Sequence, residues 1–337
     1  MASRYRYVTP VDPARATGLV ARVYAQIDRD FPTSRPPTML TLSPAPRVLA
    51  AAWALLRESL FAGDAPRLGK EAVAGGVSLA NRCPFCVDAH SMLVHGLGDR
   101  RLAEAIARDE IPDDPGHARL VAWGKATRTP SALPQAPFPA AHAPEYLGTA
   151  LAFHFINRIV SALLTPDVLP GNAQRSAVVR AAAGRALSRA IRRRVEPGAS
   201  LPLLAGSPQV PAWAGRSPVG IAFAALRAEA GDVGDLLSAG TRAVIRDSVA
   251  FWDGDHPSFG SSWLDAPLWA AAEEDVPAAR IVLLTALAPY RLTDSDVAAW
   301  RAASPGRDAD LVRLVAFGAL TAVEHVEAGL TRAPSAA

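Results

Sequence analysis

The chain has 337 residues, half of them apolar, and a formal net charge of +3 at pH 7. This length and composition are typical of a globular protein with one large domain or two, and they allow a sizeable hydrophobic core. The arginines are scattered among nearly as many carboxylates and form no basic face interleaved with aromatic residues, so a nucleic-acid partner is not expected.

The N-terminal segment has no apolar core of signal-peptide length, and no apolar run reaches the length of a membrane span. We therefore expect a cytoplasmic protein without a membrane partner. The chain has two cysteines, Cys83 and Cys86. In a reducing compartment a structural disulfide is not expected, which leaves catalysis, metal binding or simple burial for the two thiols.

Apolar residues recur at helical spacing along most of the chain, and no long stretch alternates with period two. The fold class is therefore predicted to be all-α. The predicted helices, in chain order, are 14–29, 46–61, 67–81, 84–95, 100–108, 116–127, 145–164, 174–193, 219–229, 236–252, 277–288, 294–303 and 308–328. Two stretches, 129–145 and 196–218, are too rich in proline and glycine for regular structure.

A weak internal repeat links the two halves of the chain. RLVAWGKAT at 119–127 matches RLVAFGALT at 313–321 in most positions, and a helix followed by a proline precedes each copy. When Pro289 is matched to Pro84, Ala288 and Arg291 stand where the cysteines would be. This pattern predicts a duplication, with a redox-active unit at 1–170 and a degenerate, catalytically silent unit at 171–337.

The two cysteines lie at the start of a predicted helix that begins at Pro84 and ends near Gly96, with Cys83 just before it and Cys86 in its first turn. Because Cys86 lies three residues after Cys83 and four before His90, the three side chains share one helix face. The first turn of a helix favours a thiolate, so a lowered cysteine pKa is expected. Thiol redox chemistry needs one cysteine that attacks the oxidant, a second cysteine that forms a disulfide with it, and a base that takes the thiol proton. Cys83, Cys86 and His90 can supply these groups.

Glu71 lies on the preceding helix, and a turn at Asn81 and Arg82 lets that helix fold back along the next one. We expect the Glu71 carboxylate to meet His90 and orient its imidazole, as the third group of a nucleophile and base relay does. His154 lies in a strongly apolar helix and is interpreted as a hydrogen-bonded core histidine. The alternative for His154 is a supporting role beside the cysteines.

The pattern E-x11-C-x2-C-x3-H, filled by Glu71, Cys83, Cys86 and His90, resembles the signature of the AhpD-like alkylhydroperoxidases, a branch of the carboxymuconolactone decarboxylase superfamily. The segments VSLANRCPFCVDAHSMLVHGLG, RATGLVARVYAQIDRDF and FHFINR are similar to that family as well. The resemblance covers the first half well and the second half only weakly. It implies an AhpD-like helical bundle.

The resemblance also implies an activity and a role for each residue. Peroxide would oxidise Cys86 to a sulfenic acid, Cys83 would condense with it into a disulfide, and Glu71 and His90 would form the proton relay. The substrate would be a hydroperoxide, the reductant a dithiol or a lipoyl-bearing protein, and no cofactor or metal would be needed. Family members commonly form trimers or larger rings, so a homo-oligomer is implied unless the second unit replaces a partner subunit.

One departure and two alternatives accompany this interpretation. Some members carry a histidine between the cysteines, where this chain has Pro84 and Phe85, so the relay rests on Glu71 and His90 alone. One alternative is a disulfide oxidoreductase or biosynthetic redox enzyme that uses the same dithiol, for which a wide groove at Cys86 instead of a small pocket would be evidence. The other is a helical interaction module stabilised by zinc.

Overall fold

The structure is a computed structural model that describes residues 4–31, 35–129, 133–166, 173, 176–193, 195–206, 209–304 and 306–332. Fifteen α-helices lie within these residues, and their only β-structure is two isolated bridges. The helices are α1 Gly18–Asp30, α2 Pro37–Thr41, α3 Pro46–Leu56, α4 Arg67–Ala80, α5 Pro84–Leu97, α6 Arg100–Arg108, α7 Pro115–Ala126, α8 Ala143–Leu163, α9 Ala177–Ile191, α10 Pro218–Gly231, α11 Ala239–Ala250, α12 Asp265–Ala270, α13 Val276–Leu287, α14 Asp294–Ala303 and α15 Asp308–Arg332. The all-α prediction is confirmed.

The predicted helices match observed ones, and α6 and α14 have the predicted bounds. The helix predicted at 14–29 begins later, at Gly18, and the helix predicted at 46–61 is α3 followed by one π-helical turn, Arg57–Phe61. The short helices α2 and α12 were not predicted. The first two residues of the helix predicted at 174–193, and the predicted unit boundary at 170, lie outside the described residues.

The two proline- and glycine-rich stretches are largely irregular where they are described, as predicted. They contain short 3₁₀ turns at Ala140–His142, Leu201–Leu203 and Ala212–Ala214. None of the described helices combines the length and hydropathy needed to cross a bilayer.

A single hydrophobic core runs through both halves of the chain. Helix α8 lies near its centre, where it contacts α4 from the first half and α13 and α15 from the second, while α10 packs on α3. The described parts of 1–170 and 171–337 therefore share buried apolar surface, which is the main source of folding free energy.

The repeated segments use the same packing device. A Cβ atom added at Gly124 in α7 would lie 2.5 Å from the carbonyl oxygen of Val73 in α4, and one added at Gly318 in α15 would lie 2.5 Å from that of Val282 in α13. Only glycine allows backbones to approach so closely. When Pro289 is matched to Pro84, the residue contacted by Gly318 lies about one helical turn away from the position that corresponds to Val73. The duplication therefore stays a prediction.

Candidate active site

A tight turn between α4 and α5 places the two cysteines. Helix α4 ends at Ala80, and Arg82 adopts a left-handed conformation with φ of 54°. The Cys83 N–H donates to the Ser78 carbonyl at 3.0 Å, which closes the turn as a Schellman motif does. Pro84 then occupies the first position of α5, where its missing N–H costs nothing. Helix α5 ends at Leu97 and is capped by Gly98, with φ of 106°, whereas the sequence predicted an end near Gly96.

Glu71 and His90 meet across the two helices, as their spacing predicted. His90 Nδ1 lies 2.6 Å from Glu71 Oε2, and both side chains are buried. A carboxylate can only accept a hydrogen bond, so the contact favours the imidazole tautomer that has its proton on Nδ1 and a lone pair on Nε2. The Phe153 ring stands edge-on against the imidazole, with centroids 4.4 Å apart. The imidazole is thus oriented as a base in a largely apolar setting.

Arg67 holds the other oxygen of the same carboxylate. Its Nε and a terminal nitrogen donate to Glu71 Oε1 at 2.8 and 2.7 Å. Burial alone would raise the pKa of Glu71, but the charge of Arg67 and the hydrogen bonds from His90 and Arg67 outweigh it and lower that pKa. Glu71 therefore stays a carboxylate, as orienting the imidazole requires.

Cys86 differs from the expectation of a lowered thiol pKa. Its side chain is almost fully buried, and burial raises its pKa well above the ordinary value of 9.0. The neighbouring Cys83 thiol, within hydrogen-bond contact, raises it further, whereas a hydrogen bond from Asn157 lowers it. Both cysteines are free thiols. The expected effect of the helix dipole is thus outweighed by loss of hydration, which disfavours the charged thiolate.

The Asn157 side chain extends from α8 to Cys86 and is the last member of a series of buried, hydrogen-bonded polar side chains. Arg128 donates to Asn81 Oδ1 at 2.7 Å, and Asn81 Nδ2 donates to Asn157 Oδ1 at 2.9 Å. These bonds orient the Asn157 amide so that its NH₂ group faces Ser78 Oγ, at 3.2 Å, and the Cys86 thiol. A donor held in this way stabilises negative charge on sulfur.

A small apolar pocket of about 80 Å³ reaches Cys86 and His90. Apolar side chains make up most of its wall, among them Leu56, Leu60, Phe85, Phe153 and Ile156. Cys83 does not line this pocket. Cys83, which is also buried, is instead among the residues that line two larger clefts, of about 250 and 620 Å³.

His154 is a hydrogen-bonded core histidine, as predicted. Its Nε2 lies 2.8 Å from Thr127 Oγ1 and its Nδ1 lies 3.2 Å from Asn81 Nδ2. Burial, and then the charges of Arg158 and Arg128, lower its pKa well below the ordinary value. His154 therefore stays neutral and supports the amide chain that leads to Cys86.

The four predicted residues Glu71, Cys83, Cys86 and His90 thus lie together in the structure. Within the described part of the chain, no three or more His, Cys, Asp or Glu side chains are placed to hold one metal ion. Arg67, Asn157 and Arg128 were not predicted as site residues from the sequence. Arg67 precedes Glu71 by four residues, which is a usable signal for an ion pair, but no spacing connects Asn157 or Arg128 with Cys86.

Comparison with known proteins tests the family to which the resemblance pointed. No protein-family profile matches the chain, and no solved structure matches it. An alkyl hydroperoxide reductase of Mycobacterium tuberculosis is 40% identical over 325 residues, which cover 95% of this chain and 93% of that protein. Similarity of this extent spans both halves of the chain. The chain therefore belongs to the AhpD-like alkylhydroperoxidase family.

Proposed function

We propose that the chain is a thiol-dependent peroxidase that reduces small alkyl hydroperoxides at Cys86. One observation carries the proposal: the Cys86 thiol and the imidazole of His90 line the same small apolar pocket, and Glu71 anchors that imidazole. The name of the Mycobacterium tuberculosis relative supports the same reaction class.

The pocket volume indicates the size of the substrate. At about 80 Å³ the pocket is about half as large as a cavity known to admit benzene, roughly 150 Å³. It suits a peroxide group with a few carbon atoms, and it is too narrow for a protein disulfide. Of the two redox alternatives, this favours the peroxidase over the disulfide oxidoreductase.

The reaction follows from the groups around Cys86. His90 Nε2 takes the thiol proton as the sulfur attacks the terminal peroxide oxygen. The O–O bond breaks, the alcohol leaves with a proton, and Cys86 becomes a sulfenic acid. The Cys83 thiol then attacks that sulfur and releases water, which leaves a Cys83–Cys86 disulfide. One peroxide thus consumes two thiols, and a dithiol must supply two electrons to restore them.

Burial of Cys86 gives His90 a specific task. The raised pKa of Cys86 keeps the resting thiol protonated, so the thiolate has to form during the attack. The hydrogen bond from Asn157 then stabilises the charge as it develops, since its amide is already oriented.

The test is a stoichiometric oxidation. Reduced protein is mixed with ethyl hydroperoxide without any reductant, and both thiols and peroxide are counted. We expect one peroxide consumed per two thiols lost, and slower oxidation by the bulkier cumene hydroperoxide. Protein that keeps both thiols in excess ethyl hydroperoxide would disprove the proposal.

A further inference from the structure

Ala89 has the smallest side chain among the described residues that line the apolar pocket. On the face of α5 that lines this pocket, Phe85, Ala89 and Leu93 follow one another at intervals of four residues and form one row. Cys86 and His90 form the row beside it. Because alanine has only a methyl group, the first row has a notch between its two large side chains. The reactive thiol and its base lie next to this notch.

The burial of the lining residues locates the mouth of the pocket. Cys86 and His90 are only 4% and 2% exposed, so they lie at its closed end. Ala89 is partly exposed, and so are Phe31 and Pro36, which line the pocket from the segment between α1 and α2. The other described lining residues are buried. The route from solvent to the sulfur therefore passes between Ala89 on one side and Phe31 and Pro36 on the other.

The distance from Cys86 to Ala89 matches the length of a peroxide group. Side chains three residues apart on a helix lie about 5–6 Å from each other. In a geometry ready for attack, the terminal peroxide oxygen is about 3–3.5 Å from the sulfur. The carbon that bears the peroxide group lies two bonds farther out, so it falls beside the methyl group of Ala89. The notch therefore has to accept the substituents of this carbon.

We propose that Ala89 makes the pocket selective for primary hydroperoxides, in which the carbon that bears the peroxide group has a single carbon substituent. The hydrogen atoms of that carbon fit over the alanine methyl group, and the unbranched chain extends outward between Ala89 and Pro36. A tertiary carbon has three carbon substituents, which would overlap with the neighbouring Phe85 and Leu93. This inference rests on the proposed function, because it names the class of peroxide that the reaction at Cys86 would consume.

The test compares two isomers with the same number of atoms, n-butyl and tert-butyl hydroperoxide. Each is mixed with reduced protein without reductant, and the loss of thiols is followed by quenched alkylation. Each rate is divided by the rate of the same peroxide with free cysteine, which removes the difference in intrinsic reactivity. We expect n-butyl hydroperoxide to react at least about tenfold faster, the scale of steric overlap in a packed site. Hydrogen peroxide, which has no carbon substituent, is the reference.

Two substitutions change the notch in opposite directions. Ala89→Gly removes the methyl group and should reduce the preference for n-butyl hydroperoxide about fourfold, the scale of one buried methyl group. Ala89→Leu fills the notch and should slow both isomers about tenfold or more, while the rate with hydrogen peroxide stays within about twofold. Leucine is a good helix former, so Ala89→Leu should fold. A purely structural effect would slow all three peroxides alike.

Ala107→Leu is the matched control. Ala107 is partly exposed on α6 and lines the cleft of about 620 Å³ instead of the apolar pocket. The same enlargement there should leave all three rates within about twofold of the unmodified chain.

Access to Cys86 is also measured without peroxide, which separates this inference from the proposed function. In a Cys83→Ser background, Ala89→Leu should slow the modification of Cys86 by benzyl methanethiosulfonate more than that by methyl methanethiosulfonate. Equal normalised rates for the two butyl isomers, an unchanged preference in Ala89→Gly, or equal slowing of all reagents in Ala89→Leu would overturn the inference. Thiols that survive all three peroxides, while the methanethiosulfonates still respond to Ala89→Leu, would overturn the peroxidase activity and retain Ala89 as the residue that limits access.

Discussion

Replacing Glu71 by glutamine tests the relay most directly, because it keeps the shape of the side chain and removes its charge. The carboxylate now accepts from His90 at 2.6 Å and from Arg67 at 2.7 and 2.8 Å. Loss of an oriented base should slow the oxidation of Cys86 by roughly 10²-fold. This equals about 2.7 kcal/mol in activation free energy, at about 1.36 kcal/mol per tenfold change.

The same substitution should also destabilise the fold. Glu71 is fully buried, while the Arg67 side chain is 18% exposed and keeps some access to water. Breaking a fully buried pair costs about 3–5 kcal/mol, so we expect about 2–3 kcal/mol here. The free energy of unfolding from a denaturant titration measures this loss. Because the pKa of Glu71 is lowered, its contribution is present above the ordinary value of 4.5 and is lost as the pH falls below it.

A second Glu–His pair in the same region provides the control. His95 Nε2 lies 3.0 Å from Glu104 Oε1, and neither residue lines the pocket at Cys86. Glu104→Gln should lower stability but leave single-turnover oxidation by ethyl hydroperoxide within about twofold of the unmodified chain. The double variant of Glu71→Gln and His90→Ala should be little slower than the slower single variant. Losses that multiply would refute a shared relay, and an equal loss in Glu104→Gln would attribute the effect to stability.

Four further predictions concern the thiols. Cys86→Ser should abolish peroxide consumption, and Cys83→Ser should allow one oxidation and then stop. Sulfenic acid trapped at Cys83 in the Cys86→Ser protein, with none at Cys86 in the Cys83→Ser protein, would show that Cys83 is the cysteine that attacks the peroxide. Because the pKa of Cys86 is raised, alkylation of Cys86 by iodoacetamide, which reacts with the thiolate, should accelerate with pH up to and beyond 9.0, and a rate already constant at pH 7 would show a resting thiolate. For the same reason the free energy of unfolding should fall above pH 9.0, where the unfolded chain releases a proton that the folded chain keeps. Asn157→Ala should move the pH profile of Cys86 alkylation by iodoacetamide upward and slow oxidation about tenfold at pH 7, and an unchanged profile would show that the amide does not act on the sulfur.

Local sequence patterns predicted much of the fold and the meeting of Glu71 with His90. Helix periodicity, Pro84 at a helix start and the turn at Asn81 and Arg82 are properties of short segments, so the antiparallel placement of α4 and α5 follows from them. The glutamate and histidine are then brought together by helix geometry alone.

The pKa of Cys86 could not be predicted in the same way. The dipole of α5 is visible in the sequence, but the burial that outweighs it depends on Phe153 and Ile156 from α8 and on the distant segment around Met39. The amide of Asn157 likewise reaches Cys86 only after α8 has packed on α4. Desolvation is a property of the assembled core, and residues remote in sequence decide it.

The second half of the chain has a structural part in this site, although it contains no cysteine. His256 Nε2 lies 2.9 Å from the carbonyl oxygen of Ala80, the last residue of α4, and Tyr290 lies 3.0 Å from His256 Nδ1. Burial, with the nearby charge of Arg128, lowers the pKa of His256 to about 4, so at neutral pH the imidazole is uncharged and donates from Nε2 while it accepts at Nδ1.

Arg128 joins the same network from the first half of the chain. Its Nε donates to the Gly254 carbonyl at 2.7 Å and its guanidinium lies over the Trp252 ring, while another of its nitrogens holds Asn81. The segment that follows α11 therefore fixes both the end of α4 and the amide chain to Cys86. Arg291, at the position matched to Cys86, donates to the carbonyls of Pro257 and Ser258 and so holds that segment in place. Residues of the second half of the chain thus position the turn that carries both cysteines.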